Sequence, residues 1–304
     1  MELHKLTLND REWINDIVMA EDTMSSDFVF GSLVLWNDRD ELMCGKLDGR
    51  MIVCSKWGEM RFFFSPIGSG PIAPAVSAIR EYCENEGVPM RISCVTEQNK
   101  AQMEQEMPGE LVFEEMSDYA DYIYETDKLA DLSGRKLHSK KNHVNKFMSL
   151  YPDWKYEELK PEHFEACSLL LSDWQAGHGN PAERDEIESE DESIHYAFQH
   201  FSELGLEGGV LFAGGKLCAF TIGQKCAKET YMVHFEKADV QVEGSFQMIN
   251  MEFVRDVRDR HPEIRYINRT DDMGHESLRK AKQSYHPFCM GKKYFALLEG
   301  DEPF

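Results

Sequence analysis

One order of secondary structure runs twice through this 304-residue chain, and no other feature limits its fold as tightly. In the first half, a helix at 10–21 opens on Asn9-Asp10, good capping residues. Strands at 41–46 and 51–56 follow, joined by a turn with Asp48-Gly49, a strong hairpin signal. Then come a strand at 60–64, a helix at 72–86 stopped by Gly87, a strand at 90–95, a helix at 97–107, and strands at 111–115 and 119–124. The second half gives helices at about 161–175 and 193–204 and strands at 209–213, 216–224 and 230–236. A helix at 245–260, a strand at 264–268, a helix at 275–283 and a strand at 294–298 complete it. Both halves read hairpin strands, third strand, helix, strand, helix, further strand, with little residue identity, which predicts a duplication of topology. Hairpins followed by a βαβα unit point to an α/β (α+β) class, with mixed sheets flanked by helices. The expected divisions are a unit at 1–131, a basic linker helix at 132–150 and a second unit at 151–304, each unit long enough for a sizeable core.

The linker holds the first of two basic islands in an acidic chain. Residues 132–151 carry Arg135, Lys136, Lys140, Lys141 and Lys146 and no acid. Residues 273–294 carry Arg279, Lys280, Lys282, Lys292 and Lys293 against Glu276 alone. The formal net charge of −22 argues against broad adhesion to nucleic acid or to an anionic membrane. Local positive potential on that background predicts capture of one phosphate group, although solvated helix faces would look the same. No run approaches 18 consecutive apolar residues, and the first 22 residues lack a basic leader ahead of an apolar stretch. Neither a membrane span nor a signal peptide is expected, and the chain reads as cytoplasmic. The eight cysteines are scattered without a CxxC, which predicts reduced, partly buried thiols and no metal site.

The repeated order resembles the GNAT acyltransferase fold used twice, and one turn extends the likeness. GNAT enzymes carry Q/R-x-x-G-x-G/A between a strand and a long helix, where backbone amides hold a pyrophosphate. Here Gln241-Val242-Glu243-Gly244-Ser245-Phe246 stands at that point, with Gln241 and Gly244 matching and Phe246 in place of a small residue. A glycine-capped helix start is the plainer reading. In the preceding strand, alternation puts Met232, His234 and Glu236 on one face, where His234 and Glu236 could accept a proton. A solvent-facing polar strand side reads equally well. Beyond the strand end Asn268-Arg269, a helix carries Arg279 and Lys282 on one face and ends near Tyr285, placed where a GNAT tyrosine protonates the leaving group. Tyr285 also reads as a packed, hydrogen-bonded side chain. The first unit has no matching turn, because Pro71 interrupts its glycine-rich loop at 66–71. Trp174 and His178 could border an acceptor pocket, and the acidic run at 183–192 reads as a mobile surface loop.

Taken together, the stretches DLSGRKLHSKKNHVNKF, HFEK, INRTDDMG and LRKAKQSYHPF…KKY resemble an uncharacterised bacterial group related to the C-terminal domain of phosphatidylglycerol lysyltransferase. That domain is similar in architecture to the Fem-type aminoacyl transferases, and the resemblance spans essentially the whole chain. It implies acyl or aminoacyl transfer from coenzyme A or an aminoacyl-tRNA to an amine or hydroxyl, with no tightly bound cofactor. Glu236, with His234, would take the acceptor proton and Tyr285 would protonate the leaving group. Gln241, Gly244, Ser245, Phe246 and Gln247 would hold the donor, while Asn268, Arg269, Arg279 and Lys282 would meet its phosphate. Two departures stand out: no membrane-spanning part delivers a lipid, and the net charge suits a tRNA poorly. Phe246 favours the alternative, a catalytically silent GNAT-fold module that binds a phosphate-bearing ligand.

Overall fold

The computed structural model describes residues 1–37, 41–57, 60–177 and 184–303. Strand β1 (His4–Lys5) precedes helices α1 (Arg11–Glu21) and α2 (Phe30–Leu35). Strands β2 (Met43–Leu47), β3 (Arg50–Trp57), β4 (Met60–Phe64) and β5 (Ile67–Gly68) follow. Asp48 and Gly49 both take positive φ, 49° and 84°, and so build the tight hairpin that the sequence predicts between β2 and β3. Next come α3 (Ala73–Glu86), β6 (Arg91–Thr96), α4 (Glu97–Glu106) and β7 (Val112–Glu115). Then β8 (Asp121–Glu125), α5 (Thr126–Asp131), α6 (His138–Leu150) and β9 (Lys155–Glu158) lead into α7 (Phe164–Gly177), α8 (Arg184–Gln199) and α9 (Phe201–Leu204). The chain closes through β10 (Glu207–Ala213), β11 (Lys216–Lys225), β12 (Thr230–Ala238), α10 (Ser245–Arg260), β13 (Tyr266–Asn268), α11 (Glu276–Gln283), β14 (Cys289–Gly291) and β15 (Lys293–Leu297).

Two mixed sheets organise these elements. The first runs β1-β2-β3-β4-β6-β15-β7, with β5 on β3, and its β4–β6 pair is parallel. The second runs β14-β8-β13-β12-β11-β10-β9, and its β12–β13 pair is parallel. Both sheets therefore repeat one pattern: antiparallel strands, one parallel step across a long helix, then an antiparallel strand taken from elsewhere in the chain. That last strand departs from expectation. β15 does not stay with the second half but lies between β6 and β7, antiparallel to both. Conversely, β8 leaves the first half and pairs with β13, with Tyr124 opposite Ile267. Apolar alternation assigns a strand to a sheet face but not to a partner, so sequence order alone placed each in the nearer unit. The compact units follow the sheets: one comprises Met1–Asp121, Asp271–Gly274 and Met290–Phe304, the other Tyr122–Thr270 and His275–Cys289.

In the first unit, Ala75, Val76, Ile79 and Cys83 line one face of α3 at helical spacing and pack on Ile52, Phe63 and Ile92 of the sheet. In the second, α10 buries Met248, Ile249, Met251, Phe253, Val254 and Val257. Each of the larger of these contributes about 1.5–3 kcal/mol over exposure. Of the stretch 132–150, His138–Leu150 form α6 within the second unit, which buries Val144 and Phe147 and leaves His138, Lys141, His143 and Lys146 in solvent. The acidic run is a correction: residues from Arg184 onward are helical in α8, not a loop, and Glu190 accepts a hydrogen bond from buried Lys237 at 2.6 Å. Trp174 and His178 lie outside the residues whose side chains are described. Seven of the eight cysteines are buried, Cys289 is exposed, and none is joined in a disulfide. Among the described residues no helix is long and apolar enough to cross a membrane.

Candidate active site

The second unit gathers most of the expected residues around the parallel step between β12 and β13. His234 and Glu236 share a face of β12, as strand alternation requires. The Glu236 carboxylate is nearly buried and held from two sides: Arg269 Nη2 donates to Oε1 at 2.8 Å, and Asn250 Nδ2 donates to Oε2 at 3.0 Å. Arg269, at the end of β13, lies over the rings of Tyr285 and Tyr124 at 5.1 and 5.9 Å. The Lys140 ammonium covers the Tyr285 ring at 4.3 Å. Burial pushes the Tyr285 phenol well above its usual range, so it stays protonated. Burial drives His234 the other way, down to about 4, so its imidazole is neutral near pH 7. Three buried polar atoms in this group have no hydrogen-bond partner among the described residues: His234 Nε2, Asn250 Oδ1 and Arg269 Nη1. Unpaired buried polar atoms are rare in folded proteins, and three in one group set this cluster apart from its surroundings.

The turn before α10 is shaped by packing as much as by its own residues. Gly244 sits at φ 86°, and a Cβ there would meet the His143 carbonyl oxygen at 2.7 Å and Phe147 Cβ at 2.9 Å, so glycine lets α6 pass. Lys146 and Glu243 pair across the same approach at 2.6 Å. Inside the turn, Ser245 N donates to the Val242 carbonyl and Ser245 Oγ to the Asp239 carbonyl. Gln241 is exposed, its amide bonded to Asp239 Oδ1. The Phe246 and Gln247 amides, in the first turn of α10, have no acceptor among the described residues. Such amides are the donors an anion finds at a helix N-terminus.

Asn268 and Lys282, also expected at the donor's phosphate, are turned inward. Asn268 is fully buried and its Oδ1 accepts the Thr270 amide at 2.7 Å. Lys282 is buried, and its Nζ donates to the Arg269 carbonyl at 2.7 Å and to Thr270 Oγ1 at 3.3 Å. Both fix the turn that carries Arg269. Arg279 is half-buried on α11, while Lys280 is exposed and pairs with Glu276 at 2.6 Å. Lys293 is also buried, bonded in the first unit to Asp27 at 2.7 Å and Asp121 at 3.0 Å. Two of the second island's five basic side chains, Lys282 and Lys293, are thus internal structure, while Lys280 and Lys292 are exposed, since charge along a sequence does not reveal which side chains turn inward. Asn250 and Lys140 were missed. An asparagine amid the apolar face of α10 was the available signal for Asn250.

The first unit makes the contrasting arrangement at its own parallel step. Amides of Ile72 and Ala73 at the start of α3 both donate to Glu106 Oε2, at 2.8 and 2.9 Å. These bonds, Ala73's first, hold the Glu106 carboxyl below its usual range. Buried Arg50 takes the carbonyls of Pro66, Gly70 and Pro71 and the Gln102 side chain. The turn is filled by the protein's own carboxylate and guanidinium.

Comparison with known proteins agrees with these folds. The family described as "Phosphatidylglycerol lysyltransferase, C-terminal" matches residues 21–297. A crystal structure of a conserved protein of unknown function from Bacteroides thetaiotaomicron VPI-5482 is 33% identical, with TM-score 0.93, over 98% of this chain and all of that one. The C-terminal domain of a putative lysylphosphatidylglycerol synthetase from Agrobacterium fabrum gives TM-score 0.68 at 15% identity, over 96% of this chain and 92% of that one. A tandem GNAT protein from the clavulanic acid biosynthesis pathway shares the fold at TM-score 0.54 and 13% identity, over 99% of both chains. An uncharacterised protein of Mycoplasmoides gallisepticum is 24% identical over 182 residues, 57% of this chain. That match spans about half of the relative's length, 54%.

Proposed function

Because the chain belongs to the phosphatidylglycerol lysyltransferase C-terminal family and has its tandem GNAT-like fold, we propose that its second unit transfers an acyl or aminoacyl group. The donor is coenzyme A or an aminoacyl-tRNA, and the acceptor an amine or hydroxyl. The observation that carries this reading is the pair of unused amides at Phe246 and Gln247, on the helix whose Asn250 binds Glu236. The amides hold the donor's phosphate or polarise its carbonyl, and the acceptor attacks that carbonyl carbon. A C–N or C–O bond forms as the donor's C–S or C–O bond breaks. The acceptor's proton passes to Glu236, directly when substrate displaces Arg269 or Asn250, or by way of neutral His234, whose Nε2 is open. Tyr285 gives its proton to the departing thiolate or alkoxide. Fixed donors around developing charge supply most of the rate enhancement in such a site.

A second reading, a catalytically silent module for a phosphate-bearing ligand, is favoured by Phe246 in the turn and by the Arg269 pairing that occupies Glu236. Thermal unfolding with coenzyme A, acetyl-coenzyme A and aminoacyl-tRNA separates the cases. A true ligand at 100 times its dissociation constant adds about 2.7 kcal/mol. Phe246→Pro removes one amide at a helix position where α3 already carries Pro74, so the fold tolerates it and the stabilisation should fall. No stabilisation by any of the three would overturn the proposal. Binding without turnover would select the silent module.

A further inference from the structure

At the edge of the first sheet, β1 and β2 pair antiparallel with His4 directly opposite Cys44. Asp10 reaches the same spot from the turn before α1. Its Oδ1 lies 2.8 Å from His4 Nε2, and Cys44 Sγ lies 3.6 Å from that nitrogen. These are the one group of three such side chains whose ligand atoms all lie within 4.8 Å of one another among the described residues. We propose that His4, Asp10 and Cys44 bind one divalent cation of the zinc class, with water in the fourth position.

The donor set is the first reason. A thiolate, an imidazole and a carboxylate together suit a borderline-soft ion that accepts S, N and O, and three protein ligands plus water is the arrangement of open zinc sites. Spacing is the second. Tetrahedral zinc with ordinary bond lengths sets S···N edges of about 3.5 Å and N···O edges of about 3.3 Å. The Cys44–His4 separation already fits, and the His4–Asp10 pair needs to open by only about 0.5 Å. Support is the third. Trp13 Nε1 donates to Asp10 Oδ1 at 2.9 Å, and the Thr7 amide and hydroxyl donate to Oδ2 at 2.9 and 3.1 Å. Hydrogen bonds of this kind orient a ligating carboxylate. Access is the fourth, because the His4 side chain is 58% exposed while Asp10 and Cys44 are buried.

Binding replaces the Cys44 S–H bond with a sulfur–metal bond, and the thiol proton leaves to solvent. The His4 Nε2 proton shared with Asp10 is also given up, the neutral ring keeping its hydrogen on Nδ1 so that the Nε2 lone pair meets the ion, while the carboxylate bonds are unchanged. The same geometry does not fit a cysteine nucleophile relay. Asp10 and Cys44 both approach Nε2, so the histidine has no second nitrogen between them to carry a proton.

The ligand spacing of 4, 10 and 44 matches no sequence pattern for zinc, which is why the cysteine reading above expects none. Chelator-treated full-length protein titrated with cobalt(II) gives the test. The expected result is one equivalent bound, with a thiolate-to-cobalt charge-transfer band in the near ultraviolet and intense visible bands of a tetrahedral ion, both displaced by zinc. Cys44→Ser and His4→Ala should abolish the charge-transfer and tetrahedral bands respectively, and exposed His4 makes the second a safe variant for folding. Trp13→Phe should weaken zinc binding about 10–100-fold. A wild type without the charge-transfer band, or a band that survives in Cys44→Ser, overturns the site. So does a tetrahedral spectrum unchanged in His4→Ala.

Discussion

Glu236 shows how one side chain can be both held and available. Arg269 and Asn250 occupy one oxygen each, and the carboxylate lies almost out of solvent. Removing the cation leaves a buried charge uncompensated, so Arg269→Ala should lose about 3–5 kcal/mol in denaturant titration, whereas Glu236→Gln should cost less. Equal small losses would show that the pair is not a buried unit. His234 adds a pH term. The unfolded chain protonates it below about 6.5, the folded protein only near 4, so acid in that interval favours unfolding. Its contribution, about 3 kcal/mol at most, is complete above pH 6.5 and lost as pH falls through 4. His234→Gln should flatten this part of the stability–pH curve. An unchanged slope would mean that the imidazole is protonated in the native state.

At the scale of elements, the two parallel steps diverge in one way: who fills the helix N-terminus. In the second unit two amides at α10 are open, while in the first Glu106 fills the start of α3. Glu106→Ala should therefore cost about 0.5–2 kcal/mol, the usual loss for a cap. Inorganic phosphate should also stabilise the variant more than wild type, in which only the α10 amides are open. Phosphate shifts of the same size in both proteins would count against this account. The turn at 241–246 and the strand of His234 and Glu236 were legible because positive-φ glycine and period-two alternation are local properties. Arg50 and Glu106 were not, since Arg50's partners lie 16–52 residues away and the amides that Glu106 accepts lie 33–34 away. The inward turn of Lys282 and Lys293 was hidden for the same reason. A lysine's charge is plain in sequence, but its burial against carbonyls or aspartates depends on the packed chain.

On the scale of the whole molecule, repeat order was readable and strand ownership was not. β15 stands between β6 and β7 and bonds to both, so the first sheet is continuous only with the chain's last segment in place. Deleting residues 290–304 should therefore unfold the first unit, with loss of its protected amides in hydrogen exchange, although every residue before Asp121 remains. Retained protection of β6 would show that the sheet closes without β15. The same exchange of strands bears on how the protein is made. Between β7 and β15 the ribosome must add about 180 residues, on the order of 10–40 s at ordinary rates. Through that interval the nascent first unit presents two unpaired strand edges, an opening for chaperones and for pairing between neighbouring chains on one messenger.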